Sequence, residues 1–158
     1  MKLLDFLVVD ATIDNLTARD TSGALKEMVS KLVEAGALEK GQARGVNEAL
    51  MAREKLGSTG IGKGIAVPHA KVRSIEKLVG LVALSRSGVE FGAIDGGPVY
   101  VFFLVLSGRE QSSEHLKALE RIAVVLRDEN FPMFLKRAET KTEIADLLGE
   151  VDEKFAHL

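Results

Sequence analysis

Cysteine is absent from the 158 residues, which excludes disulfides and thiolate metal sites and makes a reducing compartment, the cytoplasm, the expected setting. Long apolar runs are missing as well. The longest uninterrupted one is "VYVFFLVL", Val99 to Leu106, which suits a buried strand, whereas a helix that spans a bilayer needs about 20 residues. Direct membrane insertion is not expected. The opening "MKLLDFLVVDATID" has an aspartate inside its apolar stretch and no small-residue cleavage site after it, so it is not read as a signal peptide. Nor is there an excess of one charge: 21 Lys and Arg stand against 23 Asp and Glu, a net charge of −2. That balance gives no general reason to bind nucleic acid or an anionic membrane. Internal repeats, low-complexity tracts and linkers are absent too.

What remains has the composition of an ordinary globular protein. Hydrophobic residues make up 46% and charged residues 28%, which rules out wholesale disorder, and the length suits one domain over 1–158. "LDFLVVDATI" reads as an opening strand region. In "SGALKEMVSKLVEAGAL", Leu25, Met28, Val29, Leu32 and Val33 recur at helical spacing on one face, with Gly36 placed to end the helix. "QARGVNEALMAREKL" is a second helix closing at Gly57. "IAV", "LVGLVALS" and "VYVFFLVLS" are short and apolar on both faces, as strands covered by helices should be. "AIDGGPV" has turn chemistry. Ser112 or Ser113 is a candidate cap for "EHLKALERIAVVLRD", Asn130 with Pro132 marks a short helix, and Thr140-x-x-Glu143 is a capping-box pattern. Helices before, between and after strands predict an α/β or α+β layered fold.

The stretch "GSTGIGKGIAVPHAK", Gly57 to Lys71, suggests two phosphate chemistries. Gly57-x-x-x-x-Gly62-Lys63 imitates the start of a nucleotide-binding P-loop, but Gly64 stands where Mg²⁺ would require a Ser or Thr hydroxyl. The context is also reversed, since this loop leaves a helix and enters a strand. The P-loop reading fails, and tight turns with positive φ account for part of the glycine content.

The second chemistry is histidine chemistry. His157 lies at the fraying C-terminus and receives no role. His69 closes an apolar strand-like segment behind Pro68, with only Ala70 beside it to cover the imidazole. His115 falls in the first turn of a helix, where the positive helix end disfavours imidazolium and draws anions. Arg53 offers a bidentate donor for phosphate oxygens, Ser58 and Thr59 offer hydroxyls, and the glycine backbone offers N–H groups. Together these would form an oxyanion-stabilising shell around a nitrogen nucleophile. On residues alone, a structural or solvent-exposed role for either histidine stays open. A zinc site is disfavoured, because neither His-x-x-x-His nor His-Glu-x-x-His spacing occurs.

From "REKLGSTGIGKGIAVPHAKV" through "GAIDGGPVYVFFLVLSG" to "EHLKALERIAVVLRDENFPMFLKRAETKTEIADLL", the chain resembles the enzyme IIA domains of the fructose–mannitol class of the phosphoenolpyruvate-dependent sugar phosphotransferase system, a class that includes nitrogen-regulatory phosphocarriers. The resemblance implies a mixed β-sheet with helices on both sides. It implies that His69 takes a phosphoryl group on its tele nitrogen from an HPr-type phosphocarrier protein, that His115 supports that group, and that Arg53, Ser58 and Thr59 border it. It implies transfer onward to a sugar-specific IIB component, or use of the phosphate as a signal to a regulatory target. Metal and organic cofactors are not implied. With no fused IIB or membrane segment in 158 residues, a stand-alone regulatory or general carrier is the expected form. Two departures stand out: Lys63 where relatives often carry Asn, expected to bring positive charge near the phosphate, and "SGRE", Ser107 to Glu110, where many carry a proline.

Overall fold

The computed structural model describes residues 1–158. In chain order the elements are α1 (Thr21–Glu34), α2 (Ala43–Lys55), β1 (Gly60–Gly62), β2 (Ile65–Ala66), β3 (His69–Lys71), β4 (Val79–Val89), β5 (Val99–Ser107), α3 (Ser112–Val125), α4 (Asn130–Arg137) and α5 (Lys141–Lys154). One mixed sheet carries all five strands. β5 is its centre, antiparallel to β4 on one side and parallel to β2 and β3 on the other, while β1 pairs antiparallel with β2. The predicted α/β layered fold, a mixed sheet with helices on both sides, is the one observed.

The period-2 geometry of β5 builds two cores at once. Phe102, Leu104 and Leu106 pack into the layer of α1 and α2, where Leu25, Met28, Leu32, Val46 and Leu50 meet them. Val101, Phe103 and Val105 point the other way, into the layer of α3 to α5, against Ile122, Leu135, Ile144 and Leu148. β4 divides in the same manner, Leu81 and Ala83 to one face and Val82 and Leu84 to the other. This is why both strands read as continuous apolar runs.

The opening segment differs from its sequence expectation. It follows the outer edge of β4, but as isolated bridges, Leu7 to Gly80 and Ile13 to Ala83. Leu7 and Ile13 are six residues apart while their partners are only three apart, so the surplus is taken up in a 3-10 turn at Val9–Ala11. The segment still covers the β4 edge, which would otherwise expose unpaired N–H and C=O groups. Its start is tied down by Asp152 of α5, whose carboxylate accepts the Leu3 and Leu4 N–H groups at 2.7 and 3.0 Å.

Helix ends follow the predicted chemistry at Gly36 and Thr140, and Asp20 adds a cap beyond those expected from sequence. Asp20 caps α1 by accepting the Gly23 N–H at 2.8 Å, Gly36 takes φ 78° just past its end, and Thr140 accepts the Glu143 N–H at 3.1 Å at the start of α5. The α3 cap is different. Gln111 holds the cap position, and Ser112 is already helical. Gln111 Oε1 accepts the Gly108 N–H at 2.7 Å and Nε2 donates to the Glu76 carbonyl at 2.8 Å, so this longer side chain ties the β5–α3 connection to the β3–β4 loop.

Lys63 and Gly64 form the tip of the β1–β2 hairpin with φ of 57° and 79°. Asp95 accepts the Lys63 N–H at 3.1 Å and Lys136 Nζ donates to the Lys63 carbonyl at 2.6 Å. The left-handed region disfavours lysine and tolerates Asn, a backbone reason for Asn at this position. Lys63→Asn is expected to raise stability by up to about 1 kcal/mol in urea unfolding. By contrast, a Cβ at Gly80 would lie 2.1 Å from the Leu104 carbonyl oxygen in the centre of the sheet. Gly80→Ala should therefore cost about 2 kcal/mol or more, measured the same way.

Candidate functional site

The site is built where β3, the C-terminal half of α2 and the first turns of α3 meet. β2 and β3 lie end to end beside β5 in one unbroken register, Ile65 opposite Val101 and His69 opposite Val105. Pro68, which has no N–H to give a ladder, stands at the break. His69 thus begins the second piece of strand, where the sequence pattern had it closing the first. The Val101 N–H donates to the Gly64 carbonyl, the Val105 N–H to Pro68, and the Val72 N–H to Ser107. In a parallel ladder the main chain alternates sides, so the Val67 carbonyl faces away from β5. It turns to the His69 ring instead and accepts from Nδ1 at 2.8 Å.

That contact determines the tautomer. A carbonyl oxygen only accepts, so Nδ1 carries the hydrogen and Nε2 keeps its lone pair. His69 is half-buried. Its pKa lies below the usual value chiefly because burial disfavours the charged ring, with the Arg53 and Lys71 cations pushing the same way and the Val67 carbonyl and Glu54 opposing.

His115 comes from α3, on the face that also buries Ala118, Ile122 and Val125. Its ring centroid is 5.5 Å from that of His69, with the planes inclined at 59°. Only 4% of it is exposed, and Nδ1 lies 2.6 Å from the Ser107 hydroxyl. Its pKa is lowered to about 4, first by burial and then by the neighbouring His69 and Lys71. The neutrality expected from the helix end is therefore present, with desolvation as its main cause.

Both rings line one open depression of about 780 Å³. Its polar wall holds His69, His115, Arg53 and Lys71, and its apolar wall includes Ala52, Leu56, Leu116 and Leu119. Arg53 sits in the last turn of α2, held by an Nη1 donation to the Gly57 carbonyl at 2.8 Å. Ser58 and Thr59 are not on this wall. The Ser58 hydroxyl accepts the Gly60 N–H and donates to the Phe91 carbonyl, at 3.0 and 3.1 Å. Thr59, buried, bonds Glu54 through both its N–H and its hydroxyl. Their hydroxyls hold the loop together. Lys63 is likewise at the hairpin tip and not on the wall; the lysine that reaches the depression is Lys71.

Lys71 was readable from sequence, since two residues past His69 on a strand returns to the same face. Its Nζ donates to the Ser112 hydroxyl at 3.1 Å, linking β3 to the start of α3. Ser107 carried no comparable signal, because its partnership with His115 exists only once β5 and α3 are packed.

A mixed five-stranded sheet between two helical layers, with paired imidazoles where one edge of it meets α2 and α3, defines a class of domain. The chain matches the phosphoenolpyruvate-dependent sugar phosphotransferase system, EIIA 2, family over residues 5–151 and belongs to that family. It is 36% identical over 149 residues to a nitrogen regulatory protein of Bradyrhizobium diazoefficiens, covering 94% of this chain and 95% of that one. It is 33% identical over 153 residues to the PTS system fructose-specific EIIABC component of Bacillus subtilis, covering 97% of this chain and 24% of that protein. The crystal structure of the nitrogen regulatory protein IIA-Ntr from Neisseria meningitidis matches it with a TM-score of 0.81 at 28% identity, over 91% of this chain and 97% of that one. Relatives of both the nitrogen-regulatory and the sugar-specific kind thus share this fold. No helix of the chain is long and apolar enough to cross a membrane.

The depressed His115 pKa has a thermodynamic consequence. Between about 6.5, the unfolded value, and about 4, the unfolded chain binds more protons at this residue than the native one, so stability rises with pH across that window. The contribution is complete above pH 6.5 and is lost as pH falls toward 4. NMR titration should find His115 neutral at pH 5, and His115→Asn should flatten the fall in urea midpoint between pH 7 and pH 5.

Proposed function

We propose that the chain, acting as one IIA unit over 1–158, is a phosphohistidine phosphocarrier working in the cytoplasm, with His69 as acceptor. The observation that carries this reading is the Val67 carbonyl on Nδ1, which leaves Nε2 as the nitrogen with a free lone pair in a depression shared with two cations. An HPr-type phosphocarrier protein is the donor. Leu56, 85% exposed, and Leu116, 57% exposed, give it apolar ground to dock on beside the imidazole.

The bond between phosphorus and the donor's imidazole nitrogen breaks as the bond from phosphorus to His69 Nε2 forms. The donor ring leaves with the electron pair of the broken bond. The phosphoryl oxygens spread their charge in a loose transition state, where positioning and electrostatic stabilisation do most of the catalysis. Arg53 and Lys71 supply the positive charge. His115, uncharged, approaches the phosphoryl group closely and hydrogen-bonds to it. Both histidines stay neutral near pH 7, so the nucleophile needs no deprotonation before attack.

The relatives support two kinds of receiving partner. The fructose-specific relative joins IIA to B and C components in one chain, which supports transfer to a sugar-specific IIB component. The nitrogen regulatory relative matches end to end, which supports a regulatory target that reads the charge at His69. One phosphohistidine serves both, since phosphorylation adds about two negative charges to the mouth of the depression.

Incubation with labelled phosphoenolpyruvate, enzyme I and HPr should give acid-labile, base-stable label. His69→Ala should take none. Arg53→Ala should slow acceptance by about tenfold to a hundredfold, and His115→Ala should still accept while onward transfer weakens. Full labelling of His69→Ala overturns the assignment.

A further inference from the structure

The two imidazoles hold their Nδ1 atoms against partners of opposite character. His69 faces a carbonyl, which only accepts. His115 faces the hydroxyl of Ser107, which has one hydrogen to donate and lone pairs to accept with. We propose that Ser107 is a positioning residue that donates to His115 Nδ1 and so holds this ring as the Nε2–H tautomer, making its one free nitrogen a donor toward an anion on His69. The consequence for phosphotransfer rests on the reading of His69 as acceptor; the tautomer itself follows from the hydrogen-bond accounting.

Ser107 is 0% exposed, and its Oγ has one polar partner in the protein, His115 Nδ1 at 2.6 Å. If the ring donated to Ser107 Oγ, the serine hydrogen would be buried with no acceptor, the costlier arrangement. If Ser107 donates, the hydroxyl and Nδ1 are both satisfied and the ring hydrogen sits on Nε2. The low pKa of His115 agrees, since only a neutral ring has an Nδ1 lone pair to offer.

The placement is rigid. Ser107 ends β5 opposite Lys71, and its carbonyl accepts the Val72 N–H at 2.8 Å. One residue on, the Gly108 N–H is held by Gln111 Oε1 at 2.7 Å, which sets the entry into α3 and with it His115. The pair of rings is thus a matched one: a lone pair on His69 for phosphorus, and an N–H on His115 for a phosphoryl oxygen.

Long-range proton–nitrogen NMR correlation on the uniformly ¹⁵N-labelled, unphosphorylated chain near pH 7 reads each tautomer directly. His115 is expected as Nε2–H and His69 as Nδ1–H. In Ser107→Ala, His115 should become a mixture of tautomers, and Ser107→Thr, which keeps the hydroxyl, should restore one. In phosphotransfer, Ser107→Ala should lower kcat for onward transfer up to about tenfold with the donor KM unchanged, and Ser107→Thr should recover it. A wild-type His115 found as Nδ1–H overturns the proposal even where Ser107→Ala does not fold, and so does an unchanged tautomer in Ser107→Ala. A chain with His115 as Nε2–H that takes no phosphoryl group at His69 refutes the functional reading and leaves the tautomer assignment standing.

Discussion

The hydrogen bond from His69 Nδ1 to the Val67 carbonyl is the contact that sets the tautomer of this imidazole, and it is a product of strand geometry. Because the main chain beside β5 alternates sides, the Val67 carbonyl cannot reach the ladder. Pro68 interrupts β2 and β3 without shifting the register, since Ile65 and His69 keep the same alignment to β5 on either side of it. The imidazole closes back on the carbonyl two residues earlier.

Electrostatics then follow from packing. Burial is the largest cause of the lowered pKa at both histidines, so the layers that cover β3 and α3 do more to keep these rings uncharged than any single neighbour. Arg53 and Lys71 add to the effect at His69 while providing the positive charge an anion would meet. Two neutral rings 5.5 Å apart, in one depression with two cations, form a place where a multiply charged anion would gain attraction without displacing a proton.

Much of this was legible before folding. The apolar runs of β4 and β5 announced a sheet covered on both faces, and the α1 face from Leu25 to Val33 announced its helix. His69, His115 and Arg53 stood out by residue type and context, and the structure brings them to one wall. Where the reading departed, long-range contacts were the reason. The opening segment has strand-like residues, but its bridges to β4 are spaced so that part of it must turn. Ser58 and Thr59 looked like phosphate ligands because the loop was read in isolation; Phe91 and Glu54, brought in by the fold, claim their hydroxyls. Lys63 carried charge in the right stretch of sequence, yet the hairpin places it at its tip.

The glycine loop acquires a purpose from those same hydroxyls. Arg53 and Glu54 are consecutive, and each is tied to the loop that follows them, Arg53 to the Gly57 carbonyl and Glu54 to Thr59. Thr59 in turn accepts the Val67 N–H at 3.0 Å through its own carbonyl, the residue whose carbonyl holds His69. A chain of hydrogen bonds therefore runs from the end of α2, through the loop, to the His69 ring. The loop thereby links the arginine to the imidazole through hydrogen bonds. Glycine suits the bends that make this possible, as at Gly57 with φ 147° and Gly62 with φ 93°. Backbone flexibility is used here to place side chains, and those side chains, with the two imidazoles, form the wall an anion would meet.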